Sequence, residues 1–133
     1  MSTVGTTYSL TAFTALAEDE NSDNDSVTEN IVHLNPNDIG VSEIISPSSG
    51  ELLSDSELVT VTIVNYGGET QDDFQVSYEF NGEIVTEIVP GPLEGNSSMT
   101  YTFDQTFDAS QFGPYLISSY TSLDGDADTT NDL

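Results

Sequence analysis

Residues 74–90 read FQVSYEFNGEIVTEIVP, and this stretch decides the fold class. Apolar side chains stand at every second position from Phe74 to Phe80, which is the pattern of a β-strand with one buried face. Asn81-Gly82 then separates this run from a second apolar run. A type I′ hairpin turn needs a positive φ angle at both central residues, and Asn and Gly tolerate it. The stretch therefore predicts two antiparallel strands joined by a tight turn.

The same alternation extends through the rest of the chain, and no segment sustains a helical period. All five prolines fall between the alternating runs, where a missing N–H group does no harm. These features predict an antiparallel β-sandwich. We place its strands near residues 6–16, 26–34, 38–46, 57–66, 73–81, 83–90, 97–107 and 114–123. The predicted core consists of Val59, Val61, Ile63, Val76, Tyr78, Phe103, Tyr115 and Ile117.

The chain contains an internal repeat. Residues 8–25, YSLTAFTALAEDENSDND, align without gaps to residues 115–132, YLISSYTSLDGDADTTND, at a constant offset of 107 residues. A period of that size corresponds to a whole domain and predicts a tandem array of domains.

The alignment also sets the predicted domain boundaries. Residues 1–34 are interpreted as the last two strands of a preceding repeat, or as a donated strand, residues 35–37 as a linker, and residues 38–133 as a repeat that lacks its final strand. Met1 is interpreted as a start within a longer precursor, because the N-terminus has no signal peptide pattern. Residues 26–34 are predicted to be a strand that completes a sandwich in the preceding repeat or in a partner chain. An isolated ribbon at this place would count against this repeat phase.

The charge composition limits the possible partners. The chain has 24 Asp and Glu residues, no Lys and no Arg, and a formal net charge of -24. A nucleic-acid binder needs cationic side chains to neutralise phosphates, and so does a protein that binds an anionic membrane surface. No apolar run is long enough for membrane insertion. Repulsion among the carboxylates must be screened by dissolved or bound cations, and the absence of Cys excludes a thiolate metal site.

Four segments carry a family resemblance. Residues 38–68, DIGVSEIISPSSGELLSDSELVTVTIVNYGG, are followed by FQVSYEFNG, GPLEGNSSMTYTF and GPYLISSYTSLDGDADTTND. Together they resemble the CARDB-type immunoglobulin-like repeats of bacterial surface proteins, above all those of giant exported adhesins in the Bacteroidetes. The Asn-x-Gly at Asn65 to Gly67 and the acidic Asn-Asp ending are the most specific parts. The resemblance implies an immunoglobulin-like antiparallel β-sandwich of about seven strands, in tandem repeat, at the cell surface or secreted.

Two acidic loops carry the only recurrent chemical pattern, at residues 19–25 and 124–132. Carboxylate and amide oxygens alternate in them, which suits Ca²⁺. In an immunoglobulin-like sandwich the second loop lies beside the start of the first strand, so we expect it to converge with residues 35–38. The predicted calcium ligands are Asp38, Asp124, Asp126, Asp128 and Asn131, with Asp19, Asn21, Asp23 and Asn24 as their counterparts in the preceding repeat. The alternative interpretation is a solvated acidic turn.

Catalysis is not expected from this composition. His33 is the only histidine, and the chain offers neither Cys nor Lys as a nucleophile. The carboxylates cluster in turns and not on facing strands, as a glycosidase pair would require. Tyr115 resembles the structural tyrosine corner of sandwich domains. The sequence therefore predicts a protein that is not an enzyme.

The favoured function is a spacer repeat of an extracellular bacterial adhesin or surface filament, stiffened by calcium at the repeat junctions. Its partners would be neighbouring repeats or identical subunits, and surface glycans are a further option. One alternative is a self-assembling fibre subunit joined by strand donation. The other is a carbohydrate-binding sandwich module, which usually presents an exposed aromatic platform. The sequence has no Trp and shows no aromatic cluster in a predicted loop.

Overall fold

The computed structural model describes residues 5–133. The chain divides into two compact units between Leu34 and Asn35. All named strands pair in an antiparallel manner, and the only helical element among the described residues is a short 3-10 turn at Ser22–Asn24. The protein is therefore all-β, as predicted.

The first unit is a two-stranded hairpin. β1 spans Thr7–Phe13 and β2 spans Ser26–Val32, with Thr7 opposite Val32 and Phe13 opposite Ser26. The predicted strand is thus present, and all residues of both strands are exposed. This sheet has two strands, which is the ribbon arrangement that counts against the repeat phase. The completion of a sandwich by β2 stays a prediction.

One face of this hairpin is mostly apolar. Since residues directly opposite each other in a ladder share a face, this face carries Tyr8, Leu10, Ala12, Val27 and Ile31, together with the carboxylate of Glu29. The opposite face carries mostly Ser, Thr and Asn side chains. This amphipathic pattern is typical of two strands that cover a core on one side.

The second unit contains six strands in two sheets. They are β3 at Ile39–Ser46, β4 at Thr60–Asn65, β5 at Phe74–Phe80, β6 at Glu83–Val89, β7 at Ser97–Thr102 and β8 at Ile117–Ser122. The sheet orders are β3-β4-β7 and β6-β5-β8. Side chains from both sheets join one core, which is the arrangement of a β-sandwich.

The predicted hairpin turn is confirmed. Asn81 has a φ angle of 52° and Gly82 one of 84°, and Phe80 pairs with Glu83 across the turn. Both central residues therefore adopt the left-handed backbone conformation that a type I′ turn demands.

One predicted strand is too long. The run predicted at residues 97–107 ends as a strand at Thr102. After that point the backbone N–H groups of Asp104 and Gln105 donate to the Glu87 carboxylate, at 3.0 Å and 3.2 Å from its Oε1 atom. The chain therefore leaves the ladder because a side chain of the opposite sheet captures its donors.

The predicted core is largely confirmed. Val59, Val61, Ile63, Val76, Tyr78 and Phe103 are all at most 1% exposed. Tyr115 and Ile117 are half-buried and pack against this core. They are less covered because Ile117 lies on the sheet-edge strand β8 and Tyr115 precedes it.

Candidate functional site

The acidic loop after β8 lies against the start of β3. The Ala127 N–H donates to the Asn37 carbonyl at 3.0 Å, and the Ile39 N–H donates to Asp126 Oδ2 at 3.1 Å. Asn131 Nδ2 donates to Asp38 Oδ1 at 2.7 Å. The convergence of this loop with residues 35–38 is therefore observed as predicted.

A second set of contacts fixes the linker before β3. The Gly68 N–H donates to the Asn35 carbonyl at 2.7 Å, and the Glu69 N–H donates to the Pro36 carbonyl at 3.1 Å. Together with the Asn37 carbonyl, three successive linker carbonyls accept hydrogen bonds. The path of residues 35–37 on the second unit is therefore set by backbone contacts.

Asn65 holds the loop that makes those contacts. Its side chain is fully buried, and its Nδ2 atom donates to the Glu69 carbonyl at 2.7 Å and to the Leu93 carbonyl at 3.0 Å. Its Oδ1 atom accepts from the Gly67 N–H at 2.9 Å. A Cβ atom on Gly67 would lie 2.6 Å from the Pro36 carbonyl oxygen, which explains why glycine is required there. The Asn-x-Gly pattern is therefore a structural anchor.

The predicted ligands of the second loop do not all converge. Asp38, Asp126 and Asn131 are brought together by the contacts above. Asp128 lies one turn further on, where its N–H donates to Asp126 Oδ1 at 2.9 Å and its own Oδ1 accepts from the Thr130 N–H at 3.1 Å. Asp124 is exposed. Asp126 and Asp128 therefore each accept a hydrogen bond from an N–H group of their own loop.

Asp132 belongs to the same cluster, although the sequence did not single it out as a ligand. Burial raises the pKa of Asp132, and the carboxylates of Asp126, Asp38 and Asp128 raise it further, while a hydrogen bond from Thr121 opposes the shift. In the sequence, the alignment of Asp132 with Asp25 in the repeat was the one feature that could have indicated a role for this residue in the cluster. The neighbouring carboxylates and burial therefore disfavour the ionised form of Asp132.

Asn131 carries an additional peculiarity. Its side-chain Oδ1 atom is buried and has no hydrogen-bond partner among the described residues. A Cβ atom on Gly40 would lie 2.8 Å from this oxygen. The oxygen is therefore enclosed beside the β3 backbone without a donor, which is an uncommon condition for a buried polar atom.

The loop of the first unit shares several internal hydrogen bonds with that of the second. The Thr14 N–H donates to the Asp25 carbonyl at 2.8 Å, and the Thr121 N–H donates to the Asp132 carbonyl at 3.1 Å. Four further bonds recur at the same offset of 107 residues. Three have backbone donors: Asp19 N to Leu16 O with Asp126 N to Leu123 O, Asn21 N to Asp19 Oδ1 with Asp128 N to Asp126 Oδ1, and Asp23 N to Asn21 Oδ1 with Thr130 N to Asp128 Oδ1. In the fourth, a hydroxyl donates to a carboxylate: Thr14 Oγ1 to Asp25 Oδ1 with Thr121 Oγ1 to Asp132 Oδ1.

The predicted counterpart ligands lie in this first loop. Asp19, Asn21, Asp23 and Asn24 are all exposed. Within residues 5–133, no group of three or more His, Cys, Asp or Glu side chains has the geometry to hold a metal ion. Both loops supply the hard oxygen donors that Ca²⁺ takes, but to bind it their carboxylates would have to turn from N–H groups towards the ion.

A cavity opens at the opposite pole of the second unit. It has a volume of about 430 Å³ and lies between the loop at residues 47–53 and the segment at residues 107–117. Phe107, Phe112 and Tyr115 line it, and Phe112 is 96% exposed. Among the aromatic residues that line this cavity, Phe112 is the one that is strongly exposed, because Phe107 is 9% exposed and Tyr115 is half-buried.

Two tyrosines outside the acidic loop have structural roles. The Tyr115 hydroxyl donates to the Gln111 carbonyl, which is the bond expected of a tyrosine corner. The Tyr101 hydroxyl donates to Glu87 Oε2 at 2.8 Å, and burial together with Glu87 raises the pKa of Tyr101 to about 12. Tyr101 therefore stays protonated and serves as a hydrogen-bond donor.

Comparisons with protein-family models, with curated proteins and with solved structures found no match to this chain. Residues 5–133 also contain no helix with the length and apolar character of a membrane span.

The pKa shifts in the acidic loop predict opposite effects of two Asp→Asn substitutions. Because the pKa of Asp132 is raised, its ionised form is disfavoured in the folded state, and Asp132→Asn should stabilise the unit at neutral pH by up to about 1 kcal/mol. This gain should vanish as the pH falls below the folded pKa of Asp132. Hydrogen bonds from Thr130 lower the pKa of Asp128, so Asp128→Asn should destabilise at neutral pH and lose its effect in acid.

Thermal melts of both variants between neutral pH and about pH 3 measure these effects. Equal shifts of the melting temperature in the same direction would contradict the electrostatic account of the loop.

Proposed function

We propose that this chain is a structural spacer repeat of an extracellular tandem-repeat surface protein, and that its acidic loops bind calcium. The observation that carries the proposal is the recurrence of the loop hydrogen bonds in both units at the 107-residue offset. A repeated local structure at a domain-sized period is expected of a tandem array. The resemblance to CARDB-type repeats of bacterial adhesins supports the same interpretation.

The strand order supports an immunoglobulin-like assignment of the second unit. Sheets of order β3-β4-β7 and β6-β5-β8 are consistent with the first six strands of a seven-stranded immunoglobulin-like sandwich. The hairpin β1-β2 supplies the pattern of the last two strands of such a domain, since its apolar face is suited to cover a core.

A spacer repeat sets the distance and the angle between its neighbours, and both depend on the path of the linker. Three linker carbonyls are held by Gly68, Glu69 and Ala127, and Ala127 belongs to the acidic loop. Repulsion among Asp38, Asp126 and Asp132 works against this closure, because the chain has no Lys or Arg to offset it. Bound Ca²⁺ would relieve that repulsion and stiffen the junction.

We expect Ca²⁺ to raise the melting temperature of the 133-residue chain. A ligand at a hundredfold excess over its Kd stabilises a fold by about 2.7 kcal/mol, which corresponds to about 13 °C for a domain of about 100 residues. Calorimetric titration and melts with millimolar Ca²⁺ or with a chelator measure this. Asp126→Asn should abolish the calcium-dependent increment, and Asp55→Asn, in an exposed loop outside the site, should retain it.

The absence of binding heat, together with an unchanged melting temperature in millimolar Ca²⁺, would contradict the calcium role and leave the loops as solvated acidic turns. Mg²⁺ at the same ionic strength controls for screening, because a purely screening cation would act equally well.

A glycan-binding role has one observation in its favour, which is the exposed Phe112 beside the cavity at residues 47–53 and 107–117. Aromatic faces of this kind stack on sugars in binding modules. We place this role second, because the cavity lies away from the acidic loop that recurs in both units.

A further inference from the structure

The two sheets of the second unit part from each other along β6. This strand lies at the edge of the β6-β5-β8 sheet that is remote from β8. Val85 and Val89 of β6 are buried in the core, so alternation points Glu83 and Glu87 to the same inner side. Glu87 closes the gap between the sheets, because its carboxylate accepts hydrogen bonds from two backbone N–H groups that follow β7. Nearer to the hairpin turn, at Glu83, the gap stays open.

A cavity of about 370 Å³ occupies this opening, between the hairpin turn and residues 105–108. The buried side chains of Tyr78, Phe80 and Phe107 form its floor. Glu83 and Asp108, which are exposed, form part of its rim. Its volume falls within the range of about 300–1,000 Å³ that is usual for ligand pockets. All its lining residues lie between positions 78 and 108, so the cavity belongs to the second unit alone.

The aromatic floor of this cavity is held in place by its own contacts. The rings of Phe80 and Phe107 have centroids 4.4 Å apart and are tilted by 43°, and the ring of Tyr78 lies 6.2 Å from that of Phe107. The Tyr78 hydroxyl donates to the Gln105 carbonyl at 3.1 Å. A ligand therefore meets a preorganised surface and does not have to order these rings on binding.

The rim of the cavity is negatively charged. Asp108 Oδ1 accepts hydrogen bonds from the Ser110 hydroxyl and N–H, at 2.6 Å and 2.9 Å, and these bonds lower the pKa of Asp108. The Glu83 carboxylate has no hydrogen-bond donor among residues 5–133. Burial raises the pKa of Tyr78, and the charges of Glu87 and Glu83 raise it further. The negative charge of the rim therefore acts on the aromatic floor.

This combination of floor and rim selects the chemistry of the ligand. An anion is repelled by a chain of net charge -24 that contains no Lys or Arg. A neutral apolar ligand would cover the Glu83 carboxylate without supplying a counter-charge, which is costly. A guanidinium group meets both demands, because it stacks on aromatic rings and donates two parallel N–H groups to a carboxylate. An ammonium group is more strongly hydrated and suits an aromatic floor less well.

We propose that the cavity between the β5–β6 turn and residues 105–108 receives an arginine side chain of a partner protein, with Glu83 and Asp108 as its counter-charges. A second copy of this chain cannot supply that side chain, because it contains no Arg. The net charge of -24 would attract a basic partner over a longer distance. This inference goes beyond the proposed function and does not rest on it, since the cavity is remote from the acidic loops and involves no calcium.

Titration with blocked tripeptides tests the proposal. An acetylated and amidated Gly-Arg-Gly peptide is added to the ¹⁵N-labelled 133-residue chain at low salt, and amide chemical shifts are followed by NMR. The matched peptide carries citrulline, which has nearly the shape of arginine without its charge. The arginine peptide should bind with a Kd at least about tenfold lower than that of the citrulline peptide. It should also bind about threefold more tightly than a lysine peptide. The shifts should be largest at residues 81–83 and 105–108, and added salt should weaken binding.

A pair of variants separates the cavity from the net charge. Glu83→Gln should raise the Kd of the arginine peptide at least about fivefold. Glu79→Gln is the matched control, because it removes the same charge from an exposed position on β5 that does not line the cavity, and it should leave the Kd unchanged. Thermal melts check that both variants are folded.

Three results would overturn the proposal. Equal affinities for the arginine and citrulline peptides would show that the charge of the ligand is not recognised. Equal losses in Glu83→Gln and Glu79→Gln, or shifts spread over the whole surface, would mean that the peptide responds to net charge alone. Equal binding of the lysine and arginine peptides would overturn the choice of guanidinium.

Discussion

Val61→Asp is expected to unfold the second unit. Val61 is the second residue of β4 and is fully buried. β4 is the middle strand of its sheet, and Val61 lies between Ile44 on β3 and Tyr101 on β7. A carboxylate at this position would have no cationic partner, because the chain contains no Lys or Arg. Burying an unpaired charge costs several kcal/mol, against a typical domain stability of about 5–15 kcal/mol.

Circular dichroism and thermal melts measure this loss. Thr62→Asp is the matched control, since it adds the same charge one position along, on the other face of β4, where the side chain is half-buried. We expect it to cost about 1 kcal/mol or less. A normal cooperative melt for Val61→Asp would mean that the assignment of the two faces is inverted.

The features that the sequence predicted well depend on neighbours along the chain. Alternation at Val59, Val61 and Ile63 marks a buried face within one strand, whatever the rest of the fold does. The turn at Asn81-Gly82 is specified by two adjacent residues. Strand positions and most of the core could therefore be predicted before any tertiary contact was known.

The features that the sequence missed depend on partners that are distant along the chain. Strand β7 ends earlier than predicted because Glu87, on β6, accepts hydrogen bonds from the backbone N–H groups of Asp104 and Gln105. Phe112 lines a cavity only because a separate loop at residues 47–53 meets the segment at residues 107–117. Periodicity carries no information on such meetings.

The candidate site contains one feature that the sequence predicted and others that it missed. Proximity of the acidic loop to residues 35–38 followed from sandwich topology, so Asp38 and Asp126 were placed correctly beside each other. Asp124 is exposed, and Asp132 takes a central position that composition could not reveal. Which carboxylates of an acidic loop turn inwards is decided by backbone N–H groups, such as that of Ile39.

Asn65→Asp is expected to be the second most damaging substitution, although it changes the side-chain shape very little. Asn65 is fully buried, and its Nδ2 atom donates to two carbonyls, those of Glu69 and Leu93. An ionised carboxylate would face both carbonyl oxygens without a donor, while only the bond from Gly67 would survive. Burying a charge whose hydrogen-bond donors are missing costs several kcal/mol.

Chemical denaturation of this variant should therefore show a much lower midpoint than that of the natural chain. Asn96→Asp is the matched control, because Asn96 is exposed in a turn with a φ angle of 57°, a conformation that Asp also tolerates. We expect it to change the stability by about 0.5 kcal/mol or less.

The loss of stability caused by Asn65→Asp should become smaller between about pH 7 and pH 4. A protonated carboxyl regains one hydrogen-bond donor, and burial raises its pKa above that of the unfolded chain. Equal losses in the two variants, or a defect at position 65 that stays constant with pH, would contradict the role of Asn65 as the donor that anchors this loop.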